Sequence, residues 1–203
     1  MQELIVDFIT SLDGYGAAEG WPGWWGLQGP EYLAWLAKRP VRDHTILMGA
    51  TTYRLMSRFA QQSGASEVGL AGDEAAAVAE ISSASKVVFS STLQEPLALP
   101  NTRLVRGDPG ESVRAMKRDE STPMRTVGSL TLCRSLLEAG LVDRFRVVVF
   151  PVITGRTGSD RIYDGYPDVA LELVASRTFD GRIQLLDYVP TVLSGPPAAQ
   201  TPA

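Results

Sequence analysis

The sequence predicts an α/β fold, with a largely parallel sheet covered on both faces and an antiparallel hairpin at one edge. Three observations carry that expectation. Short β-branched runs alternate with helically spaced segments up to about residue 150, after which strand patterns dominate. The early strands ending at Met48, Phe89 and Val127 run into small or hydroxylic residues, and two of them then open a helix. Late in the chain, an Asp-Gly pair separates two strand-like stretches, which is a hairpin signal.

Taken in order, residues 3–10 (ELIVDFIT) form the first strand, which stops at the turn Ser11-Leu12-Asp13-Gly14. Trp21-Pro22-Gly23-Trp24-Trp25-Gly26 is too rich in Gly and Pro for regular structure. Pro30 suits the first position of a helix, and Tyr32, Leu33, Trp35 and Leu36 follow at helical spacing. Thr45 to Met48 is a second strand closed by Gly49, and Thr51 and Thr52 are expected to cap a short helix through Leu55 and Met56. Residues 60–72 read as a mobile loop, and Asp73 to about Ser83 as an Ala-rich helix. Strands follow at Lys86–Phe89, weakly at Leu104–Val105, and at Met124–Val127. Ser112–Lys117 belongs to a helix, and a second amphipathic helix carries Leu130, Leu132, Cys133, Leu136 and Leu137 up to Gly140. Phe145–Phe150 is the strongest strand, and the hairpin strands fall near 171–178 and 182–189 around Asp180-Gly181.

A chain of 203 residues fits one domain, expected over residues 1–192, with a disordered Pro/Ala-rich tail at 193–203. The net charge of −4 argues against a nucleic-acid surface, which needs clustered Lys and Arg. No run approaches the ~18 apolar residues of a membrane span, and no signal-peptide pattern opens the chain. A cytoplasmic, soluble protein is the expectation. Cys133 is the single cysteine, so no intrachain disulfide can form, and one Cys with one His cannot make a zinc site. No G-x-S-x-G elbow or Walker loop is present. His44 reads as a surface or capping residue.

Candidate chemistry therefore rests on the three strand ends. In an open α/β sheet, ligands bind outside the carboxyl ends of the strands, where helix N-termini offer free N–H groups to a phosphate. Gly49, Ser90, Ser91, Gly128 and Ser129 permit close backbone approach or supply hydroxyls. Ordinary turns and caps favour the same residue types, so composition alone leaves both readings open.

The order of the segments resembles the family formed by dihydrofolate reductase and the C-terminal reductase domain of the riboflavin-biosynthesis deaminase–reductase. Ser11-Leu12-Asp13-Gly14 matches its S-L-D-G, and Met48-Gly49-Ala50-Thr51-Thr52-Tyr53 resembles its M-G-R-x-T-Y. Lys86 to Leu93 is similar to K-x-V-x-S-x-T-L, and Val127-Gly128-Ser129 to V-G-G. Leu137 to Asp143, followed by Pro151 to Gly155, resembles L-x-x-G-L-V-D-E and P-V-x-x-G. The likeness spans roughly residues 3–190.

The resemblance implies a three-layer α/β/α fold, a small-molecule substrate, NADPH along the strand ends, and often a homodimer. By position, Gly49, Thr51 and Thr52 would line the adenine-side phosphates, and Ser90, Ser91 and Thr92 the ribose 2′-phosphate. Gly128, Ser129, Leu130 and Thr131 would hold the pyrophosphate. Three departures bear on that: Ala50 stands where the family has Arg, Ser91 where it is often basic, and Ser129 where it has a second glycine. Arg54, Arg103 and Arg106 are candidates to replace the missing cation. Asp13 is the expected catalytic polar group facing substrate, directly or through a water, its alternative role being to cap the turn. Glu31 is the nearest equivalent of a first-helix carboxylate, although its place suits the helix dipole. Trp21, Trp24 and Trp25 are expected to contact a planar substrate or the nicotinamide, or else to pack as a lid. The expected activity is NADPH-dependent hydride transfer to a small planar heterocycle. The alternatives are a non-catalytic binding protein on the same scaffold, or a reductase using a flavin or deazaflavin.

Overall fold

The computed structural model describes residues 1–20, 26–38, 43–62 and 79–197. Eight strands form one sheet: β1 (Leu4–Ser11), β3 (Thr45–Gly49), β4 (Lys86–Phe89), β5 (Thr102–Val105), β6 (Met124–Thr126), β7 (Arg144–Phe150), β9 (Val169–Phe179) and β10 (Ile183–Val192). Their order is β5-β4-β3-β6-β1-β7-β10-β9. The six strands from β5 to β7 run parallel, and β10 and β9 close the sheet antiparallel. Two short strands, β2 (Tyr15–Ala18) and β8 (Gly158–Arg161), pair apart from it.

Helices cover both faces. Alternation in β1 sends Leu4, Val6 and Phe8 to one face, where helices α3 (Pro109–Asp119) and α4 (Leu130–Glu138) bring Val113, Met116, Leu132, Leu136 and Leu137. On the other face, α1 (Pro30–Ala37) packs Tyr32 on Phe150, Phe179 and Ile183. Helix α2 (Ala50–Gln62) packs Tyr53 with Ile46, Met48 and Val88. The parallel strands are thus apolar on both sides, which is why they read as continuous hydrophobic runs. Asp143 anchors the layers: its carboxylate accepts the Leu4 N–H (2.7 Å) and pairs with the buried Lys117 ammonium, which also donates to Leu141 O at 2.9 Å.

The structure corrects two expectations. Thr51 and Thr52 are not caps but lie inside the first turn of α2, because β3 passes into the helix directly at Gly49–Ala50. Residues 60–62, expected in a loop, extend α2, whose amphipathic spacing keeps its inner face on the sheet. Of the Ala-rich segment, residues 79–83 are helical. Residues 63–72, the Trp21–Trp25 stretch and the tail from residue 198 lie outside the described residues. The strands β2 and β8 were not foreseen, since YGAA and GSDR carry no β pattern of their own. No helix among the described residues is long and apolar enough to cross a membrane.

Candidate active site

Four strand ends stand in a row along one edge of the sheet. Because β4, β3, β6 and β1 are adjacent and parallel, their carboxyl ends present Ser90, Gly49, Gly128 and Asp13 on the same side. Gly49 pairs with Phe89, so the β3 end abuts the Ser90 loop.

At the centre, the N-termini of α2 and α4 converge. Gly128 and Ser129 both adopt left-handed backbone conformations, with φ of 54° and 67°. A Cβ on Gly128 would meet Thr52 Oγ1 at 3.2 Å, so the position favours glycine twice over. Ser129 holds its own strained conformation while its hydroxyl joins three elements. Gly49 N–H donates to Ser129 Oγ at 2.8 Å, Thr52 Oγ1 lies 2.8 Å away, and Val127 O lies at 3.2 Å. The Ser129 side chain thus turns inward, between β3 and α2, rather than outward over the edge. Its side chain does not cap α4, and Gly128 and Thr131 are exposed beside the start of that helix. Below, Cys133 is buried with Sγ donating to Gly128 O at 3.2 Å, and burial pushes its thiol up to about 12. That thiol is therefore no nucleophile near neutral pH.

At the β4 end, Ser90 Oγ accepts the Thr92 and Leu93 N–H groups, both at 3.1 Å, making a compact turn. Two of the three arginines named above reach this turn. Arg54, from α2, donates to Thr92 Oγ1 at 3.4 Å, and Arg106, just past β5, donates to Ser91 O (3.3 Å) and Leu93 O (2.8 Å). Arg103 does not, because it is paired with Glu120 at 2.9 Å, near the amino end of β5.

At the β1 end, Asp13 bridges two segments. Ser11 Oγ donates to Asp13 Oδ1 at 2.7 Å, and Thr154 N–H approaches both carboxylate oxygens at 3.1 and 3.2 Å. The Ser11 hydroxyl chiefly holds the carboxyl below its ordinary value, against desolvation in the other direction, and the Thr154 amide adds a lesser lowering. Asp13 is therefore ionised at neutral pH. Leu12 and Ile153, carried by the same two segments, remain 65% and 71% exposed. Sequence reasoning missed Thr154 and Ile153, although the Pro151–Gly155 motif that holds them was visible. Glu31 takes no part here: its carboxylate accepts the Asp180 N–H at 2.7 Å.

Comparison with known proteins agrees with this architecture. The model of the RibD C-terminal domain matches residues 2–185. An uncharacterized Bacillus subtilis protein, YyaP, is 24% identical over 92% of this chain and 94% of its own. Among solved structures, one described as a riboflavin biosynthesis protein from Shewanella sp. PV-4 superposes with a TM-score of 0.66 at 17% identity, covering 94% of this chain and 99% of that one. The Thermotoga maritima diaminohydroxyphosphoribosylaminopyrimidine deaminase/5-amino-6-(5-phosphoribosylamino)uracil reductase gives 0.61 at 16% identity, with 94% of this chain matching 57% of that one. With the family match spanning nearly the whole sequence, this chain belongs to the RibD C-terminal domain family.

Proposed function

We propose that the protein is an NADPH-dependent reductase of a small planar heterocycle. One observation carries this reading: two helix N-termini, those of α2 and α4, meet at a row of parallel strand ends. Both present partial positive charge to the same ledge, which suits a pyrophosphate.

The residues present fit the cofactor with one local change. The first turn of α4, with Gly128, Leu130 and Thr131, would hold the pyrophosphate. Thr51 and Thr52 would lie by the adenine-side phosphates. Ser90, Ser91 and Thr92, flanked by Arg54 and Arg106, would receive the 2′-phosphate, so the two arginines offset Ala50 and Ser91. Gly49 would contribute close backbone approach but not its amide, which Ser129 already satisfies. When bound, NADPH supplies the hydride.

On the substrate side, ionised Asp13 accepts hydrogen bonds from ring N–H or amino groups and orients the heterocycle. It does not itself deliver a proton at neutral pH, so protonation falls to a water held against it. Exposed Leu12 and Ile153 offer apolar contact to a flat ring. Trp21, Trp24 and Trp25 would contact the planar substrate or the nicotinamide. The pyrimidine substrate named for the Thermotoga protein supports a nitrogen heterocycle as the class.

A binding protein without catalysis is the second reading, and the internal use of the Gly49 amide favours it. Parallel thermal-shift titrations with NADPH, NADH, FMN and a deazaflavin test the proposal. NADPH at a hundred times its Kd stabilises the fold by about 2.7 kcal/mol. No shift with either nicotinamide at millimolar concentration overturns it, and binding without turnover of any aminopyrimidine selects the second reading.

A further inference from the structure

The two oxygens of the Asp13 carboxylate are held differently. Oδ1 accepts the Ser11 hydroxyl at 2.7 Å and the Thr154 N–H at 3.1 Å, which fills the two lone pairs of a carboxylate oxygen. Oδ2 shares the same Thr154 N–H at 3.2 Å and has no other hydrogen-bond partner among the described residues. Ser11 is buried, and its oxygen also accepts the Tyr15 N–H at 2.9 Å, which leaves its proton for Oδ1. Thr154 is brought alongside because the Leu12 N–H donates to Val152 O at 2.8 Å. Arg161, whose charge reaches Asp13, does not take Oδ2: its guanidinium lies over the Tyr15 ring at 5.2 Å and 3.9 Å from Asp164.

Gly155 leaves Oδ2 open. Its backbone lies outside the left-handed region, so φ does not require a glycine there. Beyond its chain neighbours, a Cβ on Gly155 would come within 4 Å of one atom only, Asp13 Oδ2, at 3.7 Å. The missing side chain thus stands over the one oxygen with an unfilled acceptor site. The exposed Leu12 and Ile153 are carried by the same two segments.

We infer that Asp13 meets the heterocycle through Oδ2 alone, so that the site takes a ring edge with one N–H donor and rejects an edge with two adjacent donors. This rests on the placing of substrate at Asp13 proposed above and names the class within it. A carboxylate with both oxygens open accepts two parallel N–H bonds. Here a second donor meets the filled Oδ1, loses its water and gains no partner. Ser11 is the positioning residue that occupies Oδ1, and Gly155 keeps Oδ2 within reach.

The test uses two neutral rings, pyrimidin-4(3H)-one, with one N–H, and its 2-amino derivative, which adds a donor beside it. Dissociation constants are read by NMR titration of the full chain, with circular dichroism to check that each variant is folded. The wild type is expected to bind the one-donor ring at least about tenfold more tightly than the two-donor ring. Gly155→Ala sets a methyl against Oδ2 and nothing else, so it should weaken the one-donor ring about tenfold at an unchanged melting temperature. Ser11→Ala opens Oδ1 and should move the ratio of the two constants about tenfold towards the two-donor ring, while Ser11→Thr, which keeps the hydroxyl, retains the wild-type ratio. If Ser11→Ala does not fold, Gly155→Ala decides. Wild-type preference for the two-donor ring, no binding of either ring, an unchanged constant in Gly155→Ala, or an unchanged ratio in folded Ser11→Ala would each overturn the inference. NADPH is titrated in parallel: ring selectivity as expected without NADPH binding overturns the reductase reading and upholds this one.

Discussion

Asp180 and Glu31, at the tip of the C-terminal hairpin and in the first turn of α1, cap each other across the fold. The Asp180 carboxylate accepts the Glu31 N–H at 3.0 Å and the Tyr32 N–H at 3.2 Å, while the Glu31 carboxylate accepts the Asp180 N–H at 2.7 Å. This is a reciprocal capping box assembled from distant segments. It fits because Gly29 has no side chain: a Cβ there would lie 2.2 Å from the Asp180 carboxyl carbon. Asp180 itself sits at φ 52° beside Gly181 at φ 66°, so the turn that aims it needs the Asp-Gly pair.

Asp180→Ala is expected to lower stability by about 1–2 kcal/mol, the usual range for a lost N-cap. Gly29→Ala should cost more, because its Cβ meets the carboxylate directly. Urea titration checks both. Equal stability of Asp180→Ala and wild type would show that the cap contributes nothing.

Ser129→Gly relieves a left-handed residue, worth about 1 kcal/mol, and removes a hydroxyl bond of similar worth, so stability should change little. It also frees the Gly49 amide. NADPH is expected to bind several-fold more tightly to this variant by calorimetry. Unchanged or weaker binding would place Gly49 outside the phosphate site.

Arg54→Ala and Arg106→Ala should each weaken NADPH binding about ten- to a hundredfold, the range for one charge-assisted contact. NADH should be spared. Because Arg106 also holds the Ser91–Leu93 backbone, NADH binding reports any collapse of that turn. Equal losses for both cofactors would assign the arginines a structural role.

Lys86 is 1% exposed and donates to the carbonyls of Ile81, Ser82 and Ala84, closing the end of the preceding helical segment. Burial pushes its ammonium down to about 8. The folded state then holds fewer protons than the unfolded chain between about pH 8 and pH 10.5, so this group's contribution to stability rises with pH across that window. Below it, burying the charge costs stability that the three carbonyls partly recover, and those carbonyls would be left without this donor if the ammonium were removed. Lys86→Met should lose about 1–3 kcal/mol at pH 7 and abolish the rise, as read from denaturation of both proteins from pH 7 to 10.5.

Asp13→Asn should reduce kcat/KM for any heterocycle the enzyme turns over. Since the carboxyl is lowered, its contribution to stability is present above its unfolded pKa and is lost only as pH falls below about 4. The wild-type rate profile should therefore show no acidic limb from Asp13 near neutrality. A limb between pH 5 and 7 that disappears in Asp13→Asn would contradict the carboxylate role.

Most of the elements were legible because their signals are local. Alternation in β1 and β7, proline at the start of α1 and Gly140 after α4 each act within a few residues. The order of strands and helices then implied parallel pairing and a common ledge. What escaped was non-local. Strand β2 exists because Tyr15 finds Arg161 and Ala17 finds Ser159, and nothing in YGAA announces those partners. Arg103 and Arg106 look equivalent in sequence, yet three residues along β5 take one to the amino end and the other to the ledge.

By itself, then, the sequence determined most of the segments that become strands and helices, and which small and hydroxylic residues close the parallel strands. Those choices depend on periodicity, φ preference and apolar burial within a short window. Only the tertiary structure decided that Ser129 ties Gly49 to Thr52 and that Glu31 serves Asp180. A hydrogen bond or a register is a distance between groups far apart in the chain, and that distance is set when the layers pack.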